Sequence, residues 1–198
     1  PDHRSDPVRA IRRKDPVHSI ASHHSSVAPL SVGRQIAVGG LCLITVAAIA
    51  VGGSLASASN TEGWYAEVTK VPWNPPNWLF GPAWTVLYIL IALVGFLIWR
   101  AGYVGGGRPN EAARTLRIYV LQLVLNAAWT PIFFAGFPVF GQPAWWVAMG
   151  VILALVASVI WLMASAFKWS RVATLVLIPY LLWLLFASTL NAGIIVLN

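Results

Sequence analysis

The sequence is short of charged residues, which make up only 10% of its 198 positions, while hydrophobic residues make up 58%. Soluble globular domains carry charge on about 25% of their residues, because polar side chains have to cover the surface that faces water. A chain with this composition has too little polar surface to coat a water-soluble globule. The composition therefore predicts a protein whose solvent is the lipid bilayer.

The sequence also lacks the side chains that ordinary catalysis and metal binding use. Cys42 is its single cysteine, which excludes a disulfide within one chain, and its four histidines all precede residue 25. The long apolar stretches contain no Asp, Glu or His. We therefore expect neither hydrolysis by acid–base or nucleophile–base pairs nor proton-coupled transport. A permanently bound haem is not expected either, because no stretch offers a histidine ligand.

Five long apolar stretches are present, at residues 36–58, 79–99, 116–135, 144–167 and 172–197. Each is close to the ~20 residues with which an α-helix crosses a hydrocarbon core of ~30 Å. Strands of a membrane barrel would instead be segments of about ten residues with alternating hydrophobicity. The sequence therefore predicts an all-α membrane protein, a bundle of five transmembrane helices.

Positive charges lie almost entirely on one side of this predicted bundle. Six of the 13 Lys and Arg residues precede the first stretch, four surround the second connection and two lie in the fourth, whereas Lys70 is alone in the first. Since positive loops stay in the cytoplasm, we expect the amino terminus inside and the carboxyl terminus outside, in the plasma membrane if the source is a bacterium. Topology thus explains the net charge of +7. The expected partner is membrane lipid rather than nucleic acid.

Composition divides the chain into two parts. Residues 1–35 are rich in Ser, His, Pro and Arg without apolar periodicity, and they are predicted to form a disordered basic tail. Residues 36–198 form the predicted membrane domain. His23 and His24 have no further ligand at a defined spacing, so no metal site is predicted. The first stretch, which ends in Ala-Ser-Ala, resembles a cleavable signal peptide, but it is long for one and we expect a retained helix.

Few polar residues occur within the apolar stretches, and helical spacing groups them. A polar side chain in lipid either hydrogen-bonds a neighbouring helix or faces a cavity. Trp84 and Tyr88 lie one turn apart in the second stretch. Two further sets of residues each share one face of a predicted helix. They are Gln122, Asn126 and Trp129 in the third stretch, and Tyr180, Trp183, Ala187 and Asn191 in the fifth. They are expected to line a cavity or to pack in the core, and Asn126 and Asn191 are alternatively expected to hydrogen-bond each other.

The connection between the first two stretches is rich in Trp and Pro, and residues 64–84 read WYAEVTKVPWNPPNWLFGPAW. We interpret it as a structured lid. At 1.5 Å per residue, Trp84, Trp129 and Asn191 lie ~7 to 9 Å below the outer ends of their helices, and Trp183 lies ~20 Å below. This predicts an outward-facing cavity with Trp183 as its floor. The tryptophans near span ends are expected to anchor helices at the headgroups; they are Trp64, Trp73, Trp78, Trp99, Trp145, Trp146 and Trp169.

Three motifs resemble those of the TspO/MBR family, the tryptophan-rich sensory proteins and translocator proteins. They are WYxxxxKxPWxPPxWxFGPxWxxLY at residues 64–88, LNxxWxPIFF at 125–134 and PYLxWxxFAxxLN at 179–191. The resemblance runs in order over about residues 36–198. It implies a five-helix bundle with a pocket closed by the first loop, often a homodimer, which binds porphyrins and other tetrapyrroles, sterols and synthetic aromatic ligands.

The resemblance also implies roles for individual residues. Trp84 and Trp183 match the pair associated with tetrapyrrole chemistry, so they would be catalytic if the protein is an enzyme. The matches to pocket and lid positions are Tyr65, Asn126, Trp129 and Ala187. The complete set of predicted ligand-binding residues is Tyr65, Trp84, Tyr88, Gln122, Asn126, Trp129, Tyr180, Trp183, Ala187 and Asn191. Sterol import is not expected, because no tyrosine and basic residue follow the last helix as they do in animal members.

Three functions follow as alternatives. The first is an integral membrane receptor or sensor that binds porphyrins, or other apolar aromatic or sterol-like molecules, in a pocket within the bundle. The second is a light- and oxygen-dependent enzyme that degrades porphyrins. The third is a passive carrier of apolar ligands. None of the three requires a cofactor, and porphyrin enters as a ligand or as a substrate.

Overall fold

The chain folds into helices. The structure is a computed structural model that describes residues 30–105 and 107–198, and no strand occurs within these ranges. The helices in chain order are α1 (Val32–Glu62), α2 (Trp64–Glu67), α3 (Phe80–Ala101), α4 (Ala113–Thr130), α5 (Phe137–Phe140), α6 (Gln142–Ala166) and α7 (Arg171–Leu197). Most of the predicted basic tail, including the four histidines, lies outside the described residues.

Five helical segments are long and apolar enough to cross a bilayer. They are α1, α3 with the 3-10 turn before it, α4 with the π-helical turn after it, α6 and α7. The short helices α2 and α5 lie in the first and third connections. The predicted five-helix fold is confirmed, and the protein is a multi-pass integral membrane protein.

The first span begins earlier than its hydropathy suggests. α1 starts at Val32, inside the segment that the sequence assigns to the tail, and the Ser31 hydroxyl oxygen accepts a hydrogen bond from the Arg34 backbone N–H at 3.3 Å. A serine cap satisfies one of the N–H groups that a helix start leaves without a partner. Hydropathy misses this start because the first turn contains the polar residues Arg34 and Gln35.

The buried core lies between α3, α4, α6 and α7, whereas α1 lies at its edge. α6 packs along α4 and α7, and fully buried residues such as Ile98, Val159 and Leu177 fill the interior. α1 contributes only Val46 to the buried residues in the described part of the chain. Its C-terminal half instead borders a cavity. The loose packing of α1 therefore leaves space for this cavity inside the bundle.

Pro131 ends the regular part of the third span. A proline lacks the N–H that would continue the helical hydrogen-bond ladder. The chain continues as a π-helical turn over Pro131–Ala135, and the Gly136 N–H donates to the Pro131 carbonyl at 3.0 Å. In this turn the Phe133 ring stacks on Trp129 with ring centroids 5.4 Å apart. The interruption thus builds an aromatic surface at the C-terminal end of the span.

Two of the tryptophans expected at the headgroups are instead packed inside the protein. Trp145 is only 2% exposed and its ring stacks on Phe137 with centroids 4.4 Å apart, while Trp64 lies 5.4 Å from Trp145. The anchoring prediction is wrong for this pair, because a position near the end of a span does not reveal which side of the helix faces protein. The predicted anchoring tryptophans that are largely exposed are Trp73, Trp78 and Trp146.

Candidate functional site

A cavity of about 370 Å³ lies inside the bundle, next to the connection between α1 and α3. We call residues 63–79 of this connection the lid. The cavity is bordered by α1, the lid, α3, the end of the third span and α7. Seven of the ten predicted ligand-binding residues line it, namely Tyr65, Trp84, Tyr88, Trp129, Trp183, Ala187 and Asn191. The structure therefore brings together residues that lie more than 120 positions apart in the sequence.

Trp84, Tyr88 and Trp183 form one wall of the cavity. Trp84 stacks on Tyr88 with centroids 5.4 Å apart and meets Trp183 edge to face at 6.3 Å. The prediction that Trp183 lies far below Trp84 is wrong, because the depth count assumed that all helices end at one level. Only four residues of α3 precede Trp84, whereas 14 residues of α7 follow Trp183. The end of α7 therefore extends past the start of α3 and reaches the lid.

A second wall is built on Trp129 and Asn191. The Trp129 indole N–H donates to the Asn191 side-chain oxygen at 3.4 Å, and the Asn191 amide donates to the Trp145 carbonyl at 3.2 Å. Asn191 is therefore held in one orientation by two other helices. The hypothesis of an Asn126–Asn191 pair is wrong, since each asparagine hydrogen-bonds other partners.

The third wall comes from α1, which the sequence analysis did not include in the site. Its cavity-lining residues are Ala50, Gly53, Ser54, Ser57 and Thr61. They recur at intervals of one, three and four residues, so they share one face of the helix. The Thr61 hydroxyl donates to the Ser57 carbonyl at 2.7 Å, within its own helix. A stripe of small residues with helical spacing was the available signal, but such residues also serve close helix packing, and spacing alone does not separate the two roles.

Three predicted site residues lie outside the cavity and form a buried hydrogen-bonded chain behind it. The Tyr88 hydroxyl donates to the Asn126 side-chain oxygen at 3.0 Å, and the Asn126 amide donates to the Tyr180 hydroxyl oxygen at 2.9 Å. The Tyr180 hydroxyl in turn donates to the Gln122 side-chain oxygen at 3.1 Å. Gln122, Asn126 and Tyr180 are at most 3% exposed. Their predicted direct contact with a ligand does not match this placement, and their contribution is to orient Tyr88.

The lid contributes Tyr65, which is 4% exposed. Its hydroxyl donates to the Asn74 side-chain oxygen at 3.1 Å, and the Lys70 ammonium lies 4.8 Å from its ring centroid. Burial raises the pKa of the Tyr65 hydroxyl, and the hydrogen bond with Asn74 opposes part of that rise. The phenol therefore stays protonated at neutral pH. Its O–H can then donate the hydrogen bond that joins Tyr65 to Asn74 within the lid.

The lid is attached to the end of α7 by three contacts. The Trp73 indole N–H donates to the Thr189 hydroxyl oxygen at 3.2 Å. The Thr69 backbone exchanges two hydrogen bonds with the Asn198 side chain, at 2.9 and 3.1 Å. Between these contacts the Val71 side chain lies so close to Gly193 that a β-carbon at position 193 would collide with it. Gly193 is therefore the point at which the lid can approach α7.

Replacing Gly193 by valine is expected to push Val71 away and to loosen the lid. Val71 is β-branched and cannot turn aside easily, so the lid backbone has to move. Lys70 is the single trypsin site in the first connection. We expect cleavage after Lys70 to become about tenfold faster, as the lid opens more often. Mass spectrometry of the fragments of detergent-solubilised protein measures this rate.

Gly150→Val is the matched control for this experiment, because nothing lies within 4 Å of a β-carbon at position 150. This variant should be cleaved after Lys70 at the rate of the parent protein. Equal rates for Gly193→Val and the parent would show that the lid does not depend on this contact.

The chemistry of the cavity is that of an apolar binding site with few polar groups. In residues 30–105 and 107–198, no group of three or more His, Cys, Asp or Glu is placed to hold a metal ion. The Trp183 indole N–H is buried without a hydrogen-bond partner in the described structure. Indole faces and edges favour stacking with flat aromatic molecules. The arrangement is suited to binding such a molecule, and Asn191 and the α1 hydroxyls supply the polar contacts.

Comparison with known proteins gives consistent results. The family model described as TspO/MBR family matches residues 41–197. The chain is 38% identical over 156 residues to the tryptophan-rich protein TspO of Archaeoglobus fulgidus, covering 79% of this chain and 94% of that protein. It is 37% identical to the translocator protein of Sus scrofa, over 70% of this chain and 79% of the relative. It is 33% identical to the tryptophan-rich sensory protein of Cereibacter sphaeroides, over 69% and 78% of the two chains.

Proposed function

The chain belongs to the TspO/MBR family, and on this premise we propose that it is a membrane receptor or sensor whose ligand is a porphyrin or another flat apolar molecule. The ligand binds in the cavity beside the lid. Family membership supports the role of a membrane sensor. The identity of the ligand is our inference from the shape and chemistry of the cavity, and sterol-like or other aromatic molecules are the neighbouring candidates.

The observation that carries this proposal is the aromatic lining of the cavity. Trp84, Tyr88 and Trp183 are in ring contact on one side, and Trp129 stacks on Phe133 on the other. A volume of about 370 Å³ lies within the range of small-molecule sites, ~300 to 1,000 Å³. A macrocycle bound in this cavity would stack on these aromatic rings. Dispersion and quadrupole interactions then supply most of the binding free energy.

Lys70 supports a porphyrin over an uncharged aromatic ligand. It is the single basic residue of the first connection, and its ammonium lies over Tyr65, which lines the cavity. Porphyrins of biological origin carry carboxylate side chains, and the two of protoporphyrin lie at one edge of the ring. An ammonium at the lid would pair with such a carboxylate while the ring lies among the indoles.

A titration with protoporphyrin in the dark tests this proposal. We expect saturable quenching of tryptophan fluorescence, and a Kd about tenfold higher for Trp183→Ala, because the variant loses one stacking wall. Trp146→Ala is the matched control, since Trp146 lies on the exposed face of α6 and should leave Kd unchanged. Quenching that rises without saturation, or equal Kd values for both variants, would assign the effect to partition into lipid or detergent.

A light- and oxygen-dependent porphyrin-degrading enzyme is the second candidate. The contact between Trp84 and Trp183 favours it, because two oxidisable indoles in contact provide a redox-active pair beside the bound ring. Illumination of the complex in air should then bleach porphyrin absorbance, with molecular oxygen as the oxidant. Bleaching at an unchanged rate in the double variant Trp84→Phe/Trp183→Phe would remove both residues from any catalytic role. The homodimer, the passive-carrier function and the inward amino terminus stay predictions.

A further inference from the structure

A second cavity, also of about 370 Å³, lies at the opposite end of the bundle from the lid. It is formed where the start of α1 meets the end of α3 and the connection from α3 to α4. Arg34 and Val38 come from α1, Trp99 from α3, and Tyr103 and Arg108 from the connection. This is the end of the bundle that carries nearly all of the positive charge. None of these residues belongs to the aromatic cavity described above.

We propose that this second cavity binds the phosphate group of an anionic membrane phospholipid. The headgroup phosphate lies between the guanidinium groups of Arg34 and Arg108, and the apolar part of the lipid continues along α1 past Val38. The inference is independent of the function proposed for the aromatic cavity.

Arg34 is held in place before any ligand binds. Its guanidinium donates a hydrogen bond to the Tyr103 hydroxyl oxygen at 2.7 Å and lies 5.4 Å from the centroid of the Tyr103 ring. Tyr103 in turn packs on Trp99, with ring centroids 5.7 Å apart. A guanidinium has five N–H donors in a planar fork, so most of them remain for an anion. Because the Arg34 side chain is already oriented, binding an anion costs it little further side-chain entropy.

Arg108 lies on a loop that is tied back to α3. Its backbone N–H donates to the Gly105 carbonyl at 3.1 Å, which closes a turn. Farther along, the Asn110 amide donates to the Trp99 carbonyl at 2.8 Å, and the Asn110 side-chain oxygen accepts from the Ala112 N–H at 2.8 Å. Gly102 adds to this anchoring, because its carbonyl accepts from the Glu111 N–H at 2.9 Å. These bonds tie the residues that follow Arg108 to the end of α3.

The charge balance at this end favours an anionic ligand. Glu111 is the single acidic residue of this end in residues 30–105 and 107–198, since Glu62 and Glu67 lie beside the lid. Two arginines that line one cavity repel each other unless an anion lies between them, and the oxygens of a phosphate accept hydrogen bonds from both. Such basic pockets at the end of a helix bundle are the kind of site that binds lipid headgroups.

The apolar residues of the cavity favour a lipid over a soluble phosphate compound. Trp99 and Tyr103 lie at the end of a membrane span, where aromatic rings sit at the depth of the headgroups. Val38 forms a wall of the cavity on α1, most of which is exposed to the bilayer. A soluble phosphate would need only the charged groups and would gain nothing from this wall. A phospholipid would contact the arginines with its phosphate and the apolar wall with its acyl chains.

Native mass spectrometry of the full chain tests the proposal. The protein is released from nanodiscs that contain phosphatidylglycerol and phosphatidylcholine with identical acyl chains, and the lipids retained are counted. We expect preferential retention of phosphatidylglycerol. Arg34→Gln and Arg108→Gln should each reduce the retained fraction about fivefold, which corresponds to ~1 kcal/mol per basic residue at a membrane surface. Arg114→Gln removes the same charge from an exposed position of α4 and is the matched control.

Two further measurements separate a built site from general attraction of charge. Val38→Trp fills the cavity without changing the charge, and it should reduce retention as strongly as the arginine variants do. Inorganic phosphate at millimolar concentration should not displace the lipid. Equal losses for Arg114→Gln and Arg34→Gln, or full retention in Val38→Trp, would overturn the site. Displacement of the lipid by inorganic phosphate would overturn its assignment to a phospholipid. Thermal unfolding of every variant within a few degrees of the parent checks that the bundle is intact.

Discussion

Replacing Ala187 by tryptophan is expected to abolish binding in the aromatic cavity, with an affinity for protoporphyrin at least ~100-fold lower than that of the parent protein. Ala187 is 4% exposed and lines the cavity from α7. An indole at this position occupies space that the ligand needs, and it lies among rings with which it can stack. Because it fills an existing space, the change should lower thermal stability little. Dark fluorescence titration against the purified variant measures the effect.

Ala157→Trp is the matched control for this prediction. Ala157 lies on the exposed face of α6, so the same added side chain projects into lipid rather than into the cavity. Its affinity for protoporphyrin should equal that of the parent. Parent-like binding by Ala187→Trp would mean that porphyrin binds outside the bundle, and the proposed site would have to be abandoned.

Replacing Asn126 by leucine is expected to destabilise the fold by about 2 kcal/mol. The variant keeps the size of the side chain but removes its hydrogen bonds with Tyr88 and Tyr180. The Tyr88 hydroxyl then loses its acceptor and the Tyr180 hydroxyl oxygen loses its donor, whereas the bond from Tyr180 to Gln122 remains. Membrane hydrogen bonds average ~0.6 kcal/mol, and most of the expected effect therefore comes from the buried groups that are left without partners. For a chain of this length the midpoint of thermal unfolding should fall by about 5 °C.

Thr45→Val is the control for the asparagine variant. Thr45 is half-buried and donates only to the Leu41 carbonyl of its own helix, at 2.8 Å. The loss of such a bond should change the unfolding midpoint by less than about 1 °C. The network would be shown to be dispensable if Asn126→Leu unfolded at the temperature of the parent. The same variant frees the Tyr88 hydroxyl, so we also expect weaker discrimination between ligands that differ in polar groups.

The membrane fold could be predicted from sequence because it depends on local quantities. The length of an apolar run and the absence of charge within it decide whether a helix crosses the bilayer, and neighbours do not change that result. The same holds for the lid, whose clustered prolines cannot continue a helical span. Helix starts are less predictable, as α1 shows, because a cap such as Ser31 acts through one hydrogen bond.

The site was only partly predictable because helical spacing gives a direction around the helix but no depth in the bundle. Asn126 and Trp129 share a face of the third span, yet Trp129 lines the cavity and Asn126 lies buried behind it. The wall formed by Ser54 and Ser57 was missed for a related reason. Small residues on a helix are equally suited to close packing and to bordering a void, and the difference depends on how near the other helices come.

The sequence by itself determined that this chain is a five-span membrane protein with tryptophan, tyrosine and asparagine side chains inside. Tertiary structure decided which of those side chains border the aromatic cavity, which of them orient others from behind it, and which two distant arginines line the second cavity. The physical reason is that span formation is a transfer of each segment from water into lipid. Cavities instead depend on the relative heights and separations of several helices, which no single segment specifies.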